Sequence, residues 1–473
     1  MHDTNVQSNI ASFKPLVLIS KPGGEMRGEI GKQGEMRLPG DKSISHRAAL
    51  LAAMADGDSR ISNFLVSGVT WAMLRALTGL GINWDLDDST LTVHGQGIEG
   101  FASPAKPLEC GSSGTTMRLL TGAIAASGVS ATLDGSEGLR RRPMNRIVQP
   151  LRQMGVEIES SNGCAPLDIK PDKYPLRSID YSLPVASAQV KSCILLAALS
   201  ADGISVVREP GPSRDHTERM LRSLGVGVQR ELIGDSRSPG ESLVEKTYLT
   251  TIVPPVPLRL TPFQFSIPGD ISAASFLIVA GLIVPNSHIV LHQVGLNPTR
   301  TGLIEVLQTM GADIQVVEAT EEYGEPFGDI IVKSSQLQST EVSGTSVVRM
   351  IDEFPIFSIA AACAQGKTIV RDAEELRYKE SDRISALCGE LLELGVRVEE
   401  EVDGFQIDGG FPIRGGTVRP HGDHRLAMSL AVAGLVAQGP IVIEQAEIIQ
   451  ESFPDFVKLL QYLGEDIDIR SAE

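Results

Sequence analysis

Aromatic side chains are scarce in this sequence: they make up 4% of its 473 residues, with two tryptophans and six tyrosines. Proteins that hold single-stranded nucleic acid stack its bases on such side chains, so their scarcity argues against that function. The formal net charge of -17 argues the same way, because nucleic acids and anionic membranes attract basic surfaces. We therefore expect no nucleic-acid or membrane partner, and any anion site must be a local concentration of Lys and Arg.

Cysteine and long apolar runs are also in short supply. The five cysteines show no C-x-x-C spacing, and an odd, scattered set is typical of reduced thiols in the cytosol. The longest apolar run, near Phe276 to Pro285, is too short to span a bilayer. The first sixteen residues lack the basic start and apolar stretch of a secretion signal. These features predict a cytoplasmic protein.

Cofactor motifs are missing or incomplete. The ATP-binding pattern G-x-x-x-x-G-K-[ST] does not occur in the sequence. GQGIEG, at 95–100, has the spacing of a dinucleotide fingerprint, but the sequence after it does not resemble a helix. His421 and His424 have a metal-like spacing but no evident third ligand. The sequence therefore predicts no cofactor and no metal.

What the sequence does contain is a unit that occurs six times. In each copy a helix-like segment ends in Leu-Gly or Met-Gly, and an alternating apolar stretch typical of a strand follows. Glycine at that point is the expected left-handed stop of a helix. Between these segments lie Ala-rich helices that are apolar almost all round, which is typical of buried helices. The six glycines are Gly81, Gly155, Gly225, Gly311, Gly395 and Gly464.

Six copies in a chain of this length predict an α/β (α+β) fold with two domains of three units each. The sixth copy stops near Ile469 without a second strand, so we expect the N-terminal stretches LVLIS and MRGEI to supply the missing partner. This makes one domain discontinuous, with residues 1–40 plus 270–473, and the other an insertion of residues 41–269. The polar, turn-rich stretch 231–246 is predicted to be a surface loop.

Polar clusters precede many of the predicted helices. Helix N-termini present unpaired N–H groups and a partial positive charge, so they bind anions well. Arg adds two-pronged contacts to carboxylate or phosphate, and Lys adds a mobile point charge. Taken singly, each cluster is more often a helix cap or solvated surface, but we expect the clusters to recur at one place in the repeat. Their cationic members are Lys42, Arg47, Arg118, Arg142, Arg214, Lys379, Arg383 and Arg425.

Two acidic residues stand within these cationic or apolar segments. Asp352 and Glu380 have the placement of proton-transfer groups. The alternative, that they are helix caps or ion-pair partners, is equally compatible with the residues alone.

The order of the clusters resembles the enolpyruvyl transferases, most closely the enolpyruvylshikimate-phosphate synthases, from about Leu38 to Leu463. The motifs that carry this resemblance are PGDKSISHR, GTTMR, RRRPM, SAQVKS, SRDHTER, GLNPTRTG, IDEFP, KESDR, GDHRLAM and SFPDF. The resemblance implies two domains built from six βαβαββ units, with the active site in the cleft between them. It also implies transfer of the enolpyruvyl group of phosphoenolpyruvate to the 5-hydroxyl of shikimate-3-phosphate, in the shikimate pathway to chorismate and the aromatic amino acids. Phosphate is released by addition and elimination through a tetrahedral intermediate, substrate binding drives domain closure, and a monomer is expected.

The resemblance also implies roles for individual residues. Asp352 is expected to accept a proton, Glu380 to give one to the enol methylene carbon, and Lys42 to touch both substrates. A side chain at Gly114 would crowd phosphoenolpyruvate. The shikimate-3-phosphate site is expected to comprise Lys42, Ser43, Arg47, Ser187, Ala188, Gln189, Arg214, Asp352 and Lys379. The phosphoenolpyruvate site is expected to comprise Lys42, Gly114, Arg142, Gln189, Arg383, His424 and Arg425.

Two departures and two alternatives accompany the resemblance. Many members carry Lys where this chain has Glu451. The four signatures GDKS, SAQVK, RDHTE and NPTR resemble the subclass that is often tolerant of glyphosate, although Gly114 belongs to the pattern of the sensitive subclass. The sister family that uses UDP-N-acetylglucosamine as acceptor usually has a catalytic Cys in the loop at 135–143, and this chain has none there. A catalytically inactive paralogue would be expected to lose Asp352 or Glu380 first, and both are present.

Overall fold

The structure is a computed structural model, and it describes residues 15–32, 36–171, 175–233 and 247–471. Of the predicted loop at 231–246, residues 234–246 lie outside the described residues, and the prediction was wrong for residues 231–233, which form the end of a β-strand paired with Thr247–Val253. The strands, in chain order, are β1 (Leu16–Ser20), β2 (Arg27–Ile30), β3 (Asp56–Ser62), β4 (Asn83–Asp87), β5 (Thr90–Gln96), β6 (Leu108–Glu109), β7 (Ala131–Asp134), β8 (Val156–Ser161), β9 (Cys164–Pro171), β10 (Asp180–Ser182), β11 (Ser205–Glu209), β12 (Gly227–Ile233), β13 (Thr247–Val253), β14 (Gln264–Ser266), β15 (His288–Gly295), β16 (Asp313–Glu322), β17 (Glu325–Lys333), β18 (Glu341–Val342), β19 (Gly366–Val370), β20 (Arg397–Glu401), β21 (Gly404–Gly409), β22 (Gly416–Val418), β23 (Ile441–Ile443) and β24 (Ile467–Ser471).

Helices alternate with these strands. The α-helices are α1 (Lys42–Met54), α2 (Gly68–Gly79), α3 (Gly114–Ser127), α4 (Glu137–Arg140), α5 (Asn145–Gln153), α6 (Ala188–Ala197), α7 (His216–Ser223), α8 (Ile271–Ile283), α9 (Gly302–Thr309), α10 (Thr345–Arg349), α11 (Phe354–Cys363), α12 (Arg383–Glu393), α13 (His424–Gly434) and α14 (Phe456–Tyr462). Short 3₁₀ helices occupy Ala198–Ser200, Glu374–Tyr378 and Ala446–Glu451. Each described helix falls short, in length or in hydropathy, of what a bilayer crossing requires.

The chain divides into two compact units. The inserted unit comprises residues 40–268 together with 320–326, and the discontinuous unit comprises the remainder, residues 1–39, 269–319 and 327–473. The short segment 320–326 was not anticipated in the inserted unit, because it is the turn of the hairpin formed by β16 and β17.

The described residues form six four-stranded sheets that share one strand pattern. In each sheet order given below, the first strand runs parallel to the second, and the third runs antiparallel to the second. The orders in the inserted unit are β14-β3-β5-β4, β6-β7-β9-β8 and β10-β11-β13-β12. Those in the discontinuous unit are β2-β15-β17-β16, β18-β19-β21-β20 and β22-β23-β1-β24. This arrangement confirms the predicted α/β fold of six βαβαββ units.

The N-terminal strands complete two different sheets. β1, the LVLIS stretch, pairs antiparallel with β24, placing Leu18 opposite Ile469, so the prediction for this stretch is confirmed. The prediction for MRGEI was wrong in detail, because β2 pairs parallel with β15 in another sheet of the same unit. Strand polarity explains the difference: within the described residues the last repeat contributes one strand after its outer helix and takes β1 as the antiparallel partner, whereas the sheet of β15 takes β2 as its parallel edge strand.

The six repeated glycines end helices as predicted. All six have a positive φ, from 74° at Gly395 to 104° at Gly464, which is the left-handed region that other residues adopt at a cost. This conformation turns the chain from each outer helix directly into the next strand of its repeat.

Three buried helices form the centre of each unit's core, α1, α3 and α6 in one and α8, α11 and α13 in the other. Their Ala-rich sequences allow close packing. At Gly122 of α3 a β-carbon would lie 2.3 Å from the carbonyl oxygen of Cys193 in α6, so these two backbones touch. The buried helices thereby hold their N-termini in fixed positions, which matters for the site.

Candidate active site

The polar clusters lie at helix starts, but not all at one place in the repeat. Five clusters precede buried helices, as expected, namely those that lead into α1, α3, α6, α11 and α13. The three that lead into α5, α7 and α12 precede the second helix of their repeats, so the expectation of a single recurring position was wrong for them. The physical reason is that both helices of a repeat leave the same end of their sheet, so either start can carry a polar group toward that end.

In the inserted unit, α1 starts with the GDKS motif. Asp41 caps the helix by accepting a hydrogen bond from the Ile44 N–H at 2.9 Å. Lys42 is therefore the first helical residue, and Arg47 follows more than a turn later on the same helix. His46 links this start to the next one, because its Nδ1 lies 2.8 Å from the Lys42 carbonyl and its Nε2 lies 3.3 Å from the Ser113 hydroxyl.

Arg47 is buried, with 4% of its surface exposed, and its hydrogen-bond partners are all neutral. Its Nε donates to Thr217 Oγ1 at 2.7 Å, its Nη2 to Ser192 Oγ at 2.8 Å, and its Nη1 to the Ser43 carbonyl at 2.9 Å. Burial lowers the pKa of Arg47 to about 10, so the guanidinium still carries its charge at neutral pH. No carboxylate of the described residues forms an ion pair with it, which leaves a buried positive charge suited to an anionic ligand.

At the start of α3, Gly114 lies close to two guanidinium groups. A β-carbon on Gly114 would lie 3.1 Å from Nη1 of Arg118 and 3.3 Å from Nη1 of Arg142. Glycine at this position therefore lets both cations approach the backbone at the start of α3 closely. Arg118 Nη1 donates to Gln189 Oε1, and Gln189 Nε2 donates to Thr115 Oγ1 at 2.9 Å.

The start of α6 joins the same group. Ser187 precedes the helix, Ala188 is its first residue, and Gln189 reaches across to α3 as described above. Arg214, in the loop before α7, donates from Nη1 to Ser43 Oγ at 3.4 Å. The inserted unit thus brings the predicted residues of α1, α3, α6 and the segment before α7 into one connected network of polar contacts.

In the discontinuous unit, Arg383 is the centre of a second polar group. This side chain is 2% exposed and makes ion pairs with three carboxylates: Asp423 at 2.6 Å, Glu380 at 2.6 Å and Asp352 at 3.2 Å. Burial by itself lowers the pKa of Arg383, but the three carboxylates outweigh it and raise that pKa well above its ordinary value. Three of its five N–H groups serve these contacts.

Asp352 lies between two guanidinium groups. Its Oδ1 accepts from Arg383 Nη1, and its Oδ2 lies 3.6 Å from Nη2 of Arg425. Asp352 is not a helix cap, because Glu353 holds that position for α11. Of the alternatives left open by the sequence, the ion-pair geometry is therefore present for both Asp352 and Glu380. That geometry is compatible with a proton-transfer role and favours the ionised form of each carboxylate.

Asp423 was missed as a site residue by sequence reasoning. It is fully buried, and while Oδ2 accepts from Arg383 Nε, Oδ1 caps α13 by accepting from the Arg425 N–H at 2.9 Å. It therefore fixes one guanidinium and the helix start that bears another. The signal available was its place in GDHR, an acidic residue at a predicted N-cap.

The GLNPTRTG motif supports the segment next to Asp352. Arg300 Nη2 donates to Asp270 Oδ1 at 3.2 Å and to Ser272 Oγ at 2.8 Å. Ser272 in turn donates to the carboxylate of Glu353. This buried chain ties the starts of α8 and α11 together and holds the backbone that carries the neighbouring Asp352.

Three further residues singled out from the sequence lie at the ends of helices. Lys379 follows a 3₁₀ helix and is half-buried, and His424 is the buried first residue of α13. Glu451 ends the 3₁₀ helix Ala446–Glu451. Within the described ranges, no group of three or more His, Cys, Asp and Glu side chains has metal-binding geometry. The predicted site residues therefore form two polar groups, one in each unit.

Comparison with known proteins identifies the family. A model of the EPSP synthase (3-phosphoshikimate 1-carboxyvinyltransferase) family matches residues 29–460. A 3-phosphoshikimate 1-carboxyvinyltransferase of Salinibacter ruber is 47% identical over 427 residues, covering 90% of this chain and 95% of that protein. The enzyme of the same name from Halorhodospira halophila is 45% identical over 450 residues, covering 95% and 96%.

Solved structures agree. The EPSP synthase of Acinetobacter baumannii superimposes with a TM-score of 0.82 and 38% identity, covering 96% of this chain and all of the other. The enolpyruvyl transferase NikO of Streptomyces tendae has a TM-score of 0.74 at 19% identity, covering 98% of this chain and all of the other, which supports the fold alone. The resemblance drawn from the motifs is thereby confirmed, and the chain belongs to the EPSP synthase (3-phosphoshikimate 1-carboxyvinyltransferase) family.

Proposed function

We propose that this chain transfers the enolpyruvyl group of phosphoenolpyruvate to the 5-hydroxyl of shikimate-3-phosphate and releases phosphate. The observation that carries the proposal is the family match over residues 29–460 in a chain that keeps the predicted cationic and acidic residues at its helix starts. Both substrates are polyanions, and both units of this acidic protein concentrate Arg side chains in polar groups. Each unit supplies residues to the reaction.

The inserted unit is suited to the acceptor, shikimate-3-phosphate. Arg47 offers a buried charge with neutral partners, and Arg214 lies beside Ser43 at the start of α1. We propose that these residues bind the anionic groups of the acceptor together with Lys42, Ser187, Ala188, Gln189 and, from the other unit, Asp352 and Lys379. A guanidinium held by neutral groups suits this task, because its charge is not already satisfied within the protein.

For phosphoenolpyruvate we propose Arg383 and Arg425 with His424 from one unit, and Lys42, Arg142 and Gln189 from the other. Arg142 makes no side-chain hydrogen bond or ion pair to the described residues, so its donors are available to an anion. Gly114 lies beside Arg142 and Arg118, so a small anion bound to these two cations would lie against a residue that has no side chain.

The reaction needs one proton taken from oxygen and one delivered to carbon. In the addition step the 5-oxygen bonds to C2 of phosphoenolpyruvate, Asp352 takes the hydroxyl proton, and Glu380 protonates C3. The tetrahedral intermediate then loses phosphate from C2, which carries away the proton held by Asp352, and returns a proton from C3 to Glu380. The double bond of the product and the starting forms of both carboxyl groups are thereby restored. Asp352 suits the role of base because two guanidinium groups stabilise its ionised form.

Glu380 must be protonated to act as a donor, yet here it pairs with Arg383 at 2.6 Å, which favours its ionised form. We propose that Arg383 exchanges this carboxylate for the phosphoenolpyruvate anion when that substrate binds. The loss of its positive neighbour then increases the proton affinity of Glu380 at the stage where a proton donor is needed.

The test is phosphate release on mixing the purified chain with both substrates. We expect release that requires both, and no release with phosphoenolpyruvate alone. Release that occurs with UDP-N-acetylglucosamine and not with shikimate-3-phosphate would assign the chain to the sister activity. Tight binding of shikimate-3-phosphate without turnover would indicate an inactive paralogue and refute the proposal.

We further propose that the chain acts as a monomer in the cytoplasm. The five cysteines are free, which suits a reducing compartment. Sedimentation velocity would contradict the monomer if the chain migrated at twice its mass of 50.6 kDa.

A further inference from the structure

We infer that Thr217 and Ser192 are positioning residues for the acceptor substrate, acting through Arg47. This inference rests on the proposed function, in which Arg47 binds an anionic group of shikimate-3-phosphate. Neither hydroxyl is part of the site predicted from the sequence.

The two hydroxyls grip one edge of the guanidinium. Thr217 Oγ1 accepts from Arg47 Nε and Ser192 Oγ accepts from Arg47 Nη2, while the two oxygens lie 2.7 Å apart in a hydrogen bond to each other. The N–H groups on Nε and Nη2 point in parallel along the same edge of the planar guanidinium, so both hydroxyl oxygens must lie near its plane to accept from them. It therefore fixes the rotation of the group as well as its position.

The contacts with the two hydroxyls set the direction of the remaining N–H donors of Arg47. Of the five N–H groups of Arg47, one goes to each hydroxyl and one to the Ser43 carbonyl, which leaves one N–H on each terminal nitrogen. Those two make no hydrogen bond to the described residues. Since the hydroxyls are uncharged, they orient the guanidinium without neutralising it, whereas a carboxylate in their place would compete with the anionic substrate.

A second bridge makes the hydroxyl pair rigid. Lys191 and Glu218, the residues next to Ser192 and Thr217 along their helices, form an ion pair of 2.7 Å in which both side chains are fully buried. Helices α6 and α7 are thus joined by two adjacent bridges, one charged and one neutral. Glu218 also favours the charged form of Arg47 electrostatically without forming a hydrogen bond to it.

Holding Arg47 in place in the free protein affects how tightly the acceptor substrate binds. A long side chain that is not held in the free protein must be ordered when the ligand binds, and this weakens binding. Removing the Thr217 hydroxyl releases Nε but leaves the charge in place. We therefore expect weaker binding of shikimate-3-phosphate and little change in the chemical step.

The experiment compares Thr217→Val, Thr217→Ser and a matched control, Thr250→Val. Thr250 is a buried threonine of the same unit whose hydroxyl has no hydrogen-bond partner in the described residues. We expect Thr217→Val to raise the Kd of shikimate-3-phosphate about tenfold or more, as measured by calorimetry without phosphoenolpyruvate. Its kcat at saturating substrate should stay within about twofold of wild type, while Thr217→Ser and Thr250→Val should bind like wild type.

Three results would overturn the inference: wild-type affinity in Thr217→Val, an equal loss in Thr250→Val, or no recovery in Thr217→Ser. If Thr217→Val does not fold, Ser192→Ala removes the acceptor of Nη2 and must raise the same Kd by a similar factor. A wild-type chain that binds no shikimate-3-phosphate would refute the proposed function itself. An active wild type with an unaffected Thr217→Val would refute the positioning role alone.

Discussion

Replacement of Glu465 by Gln should change how the stability of the protein depends on pH. Glu465 follows the last of the repeated glycines and is 5% exposed, and both its carboxylate oxygens lack a hydrogen-bond partner in the described residues. One of them lies 1.6 Å from where a β-carbon would stand on Gly23, so the carboxyl packs directly on that backbone. Burial raises the pKa of Glu465 from 4.5 to about 7.

The direction in which stability changes with pH follows from proton binding by Glu465. The folded chain holds this proton more tightly than the unfolded chain, so the carboxyl weakens the fold only where it must ionise. The stability is complete below about pH 4.5, is lost as the pH rises toward 7, and changes no further above that value. A pKa difference of this size corresponds to about 3 kcal/mol at pH 8. Gln cannot ionise, so Glu465→Gln should be more stable than wild type at pH 8 by an amount of that order, and by much less at pH 5.

The assay is urea denaturation of wild type and variant at several pH values between 5 and 8. A suitable control is Asp466→Asn, because the neighbouring Asp466 is 60% exposed and pairs with Lys21 at the surface. Its stability curve should run parallel to that of wild type. The reasoning is refuted if Glu465→Gln also runs parallel to wild type, or if both variants change the pH dependence equally.

Further predictions concern the site and the core. Asp352→Asn should bind shikimate-3-phosphate like wild type but release phosphate about 10²–10⁴-fold more slowly, and an unchanged rate would remove Asp352 from the mechanism. Asp423→Asn keeps a cap oxygen for α13 but loses the charge that holds Arg383, so the KM for phosphoenolpyruvate should rise about tenfold, and an unaltered KM would contradict that role. Gly114→Ala should melt like wild type yet bind phosphoenolpyruvate more weakly, since its β-carbon would approach only the flexible ends of two Arg side chains; equal affinity would contradict the crowding argument. Gly122→Ala should lower the stability by at least about 1–3 kcal/mol in denaturation, because the backbone of α6 cannot yield as a side chain does, and wild-type stability would refute the close packing.

Much of the fold was predictable because each copy of the repeat is marked by residues whose effect is local. A glycine with positive φ, such as Gly395, ends a helix wherever the repeat places it, and an all-apolar helix can only be buried. The pairing of β2 was not predictable in the same way. A four-residue strand carries no mark of its partner, and its place beside β15 depends on which sheet lacks a parallel strand once the whole unit is assembled.

In the candidate site, too, some residues could be predicted from the sequence and others could not. Charged residues near predicted helix starts can be recognised in the sequence, so Arg47 and Arg383 were predicted as site residues. Their partners were harder to find: Thr217 and Ser192 look like ordinary polar helix residues, and Asp423 looks like an ordinary cap. The packing of α6 against α7, and of α12 near the start of α13, gives these side chains their contacts with the two Arg side chains.

A structure with both substrates bound tests the central claim most directly, because the claim is that these Arg side chains exist to bind two anions. We predict that shikimate-3-phosphate lies within hydrogen-bond distance of the terminal nitrogens of Arg47. We likewise predict that phosphoenolpyruvate contacts Arg383, which then no longer pairs with Glu380. Substrates bound elsewhere, with both guanidinium groups keeping their present partners and contacting no ligand, would contradict the account.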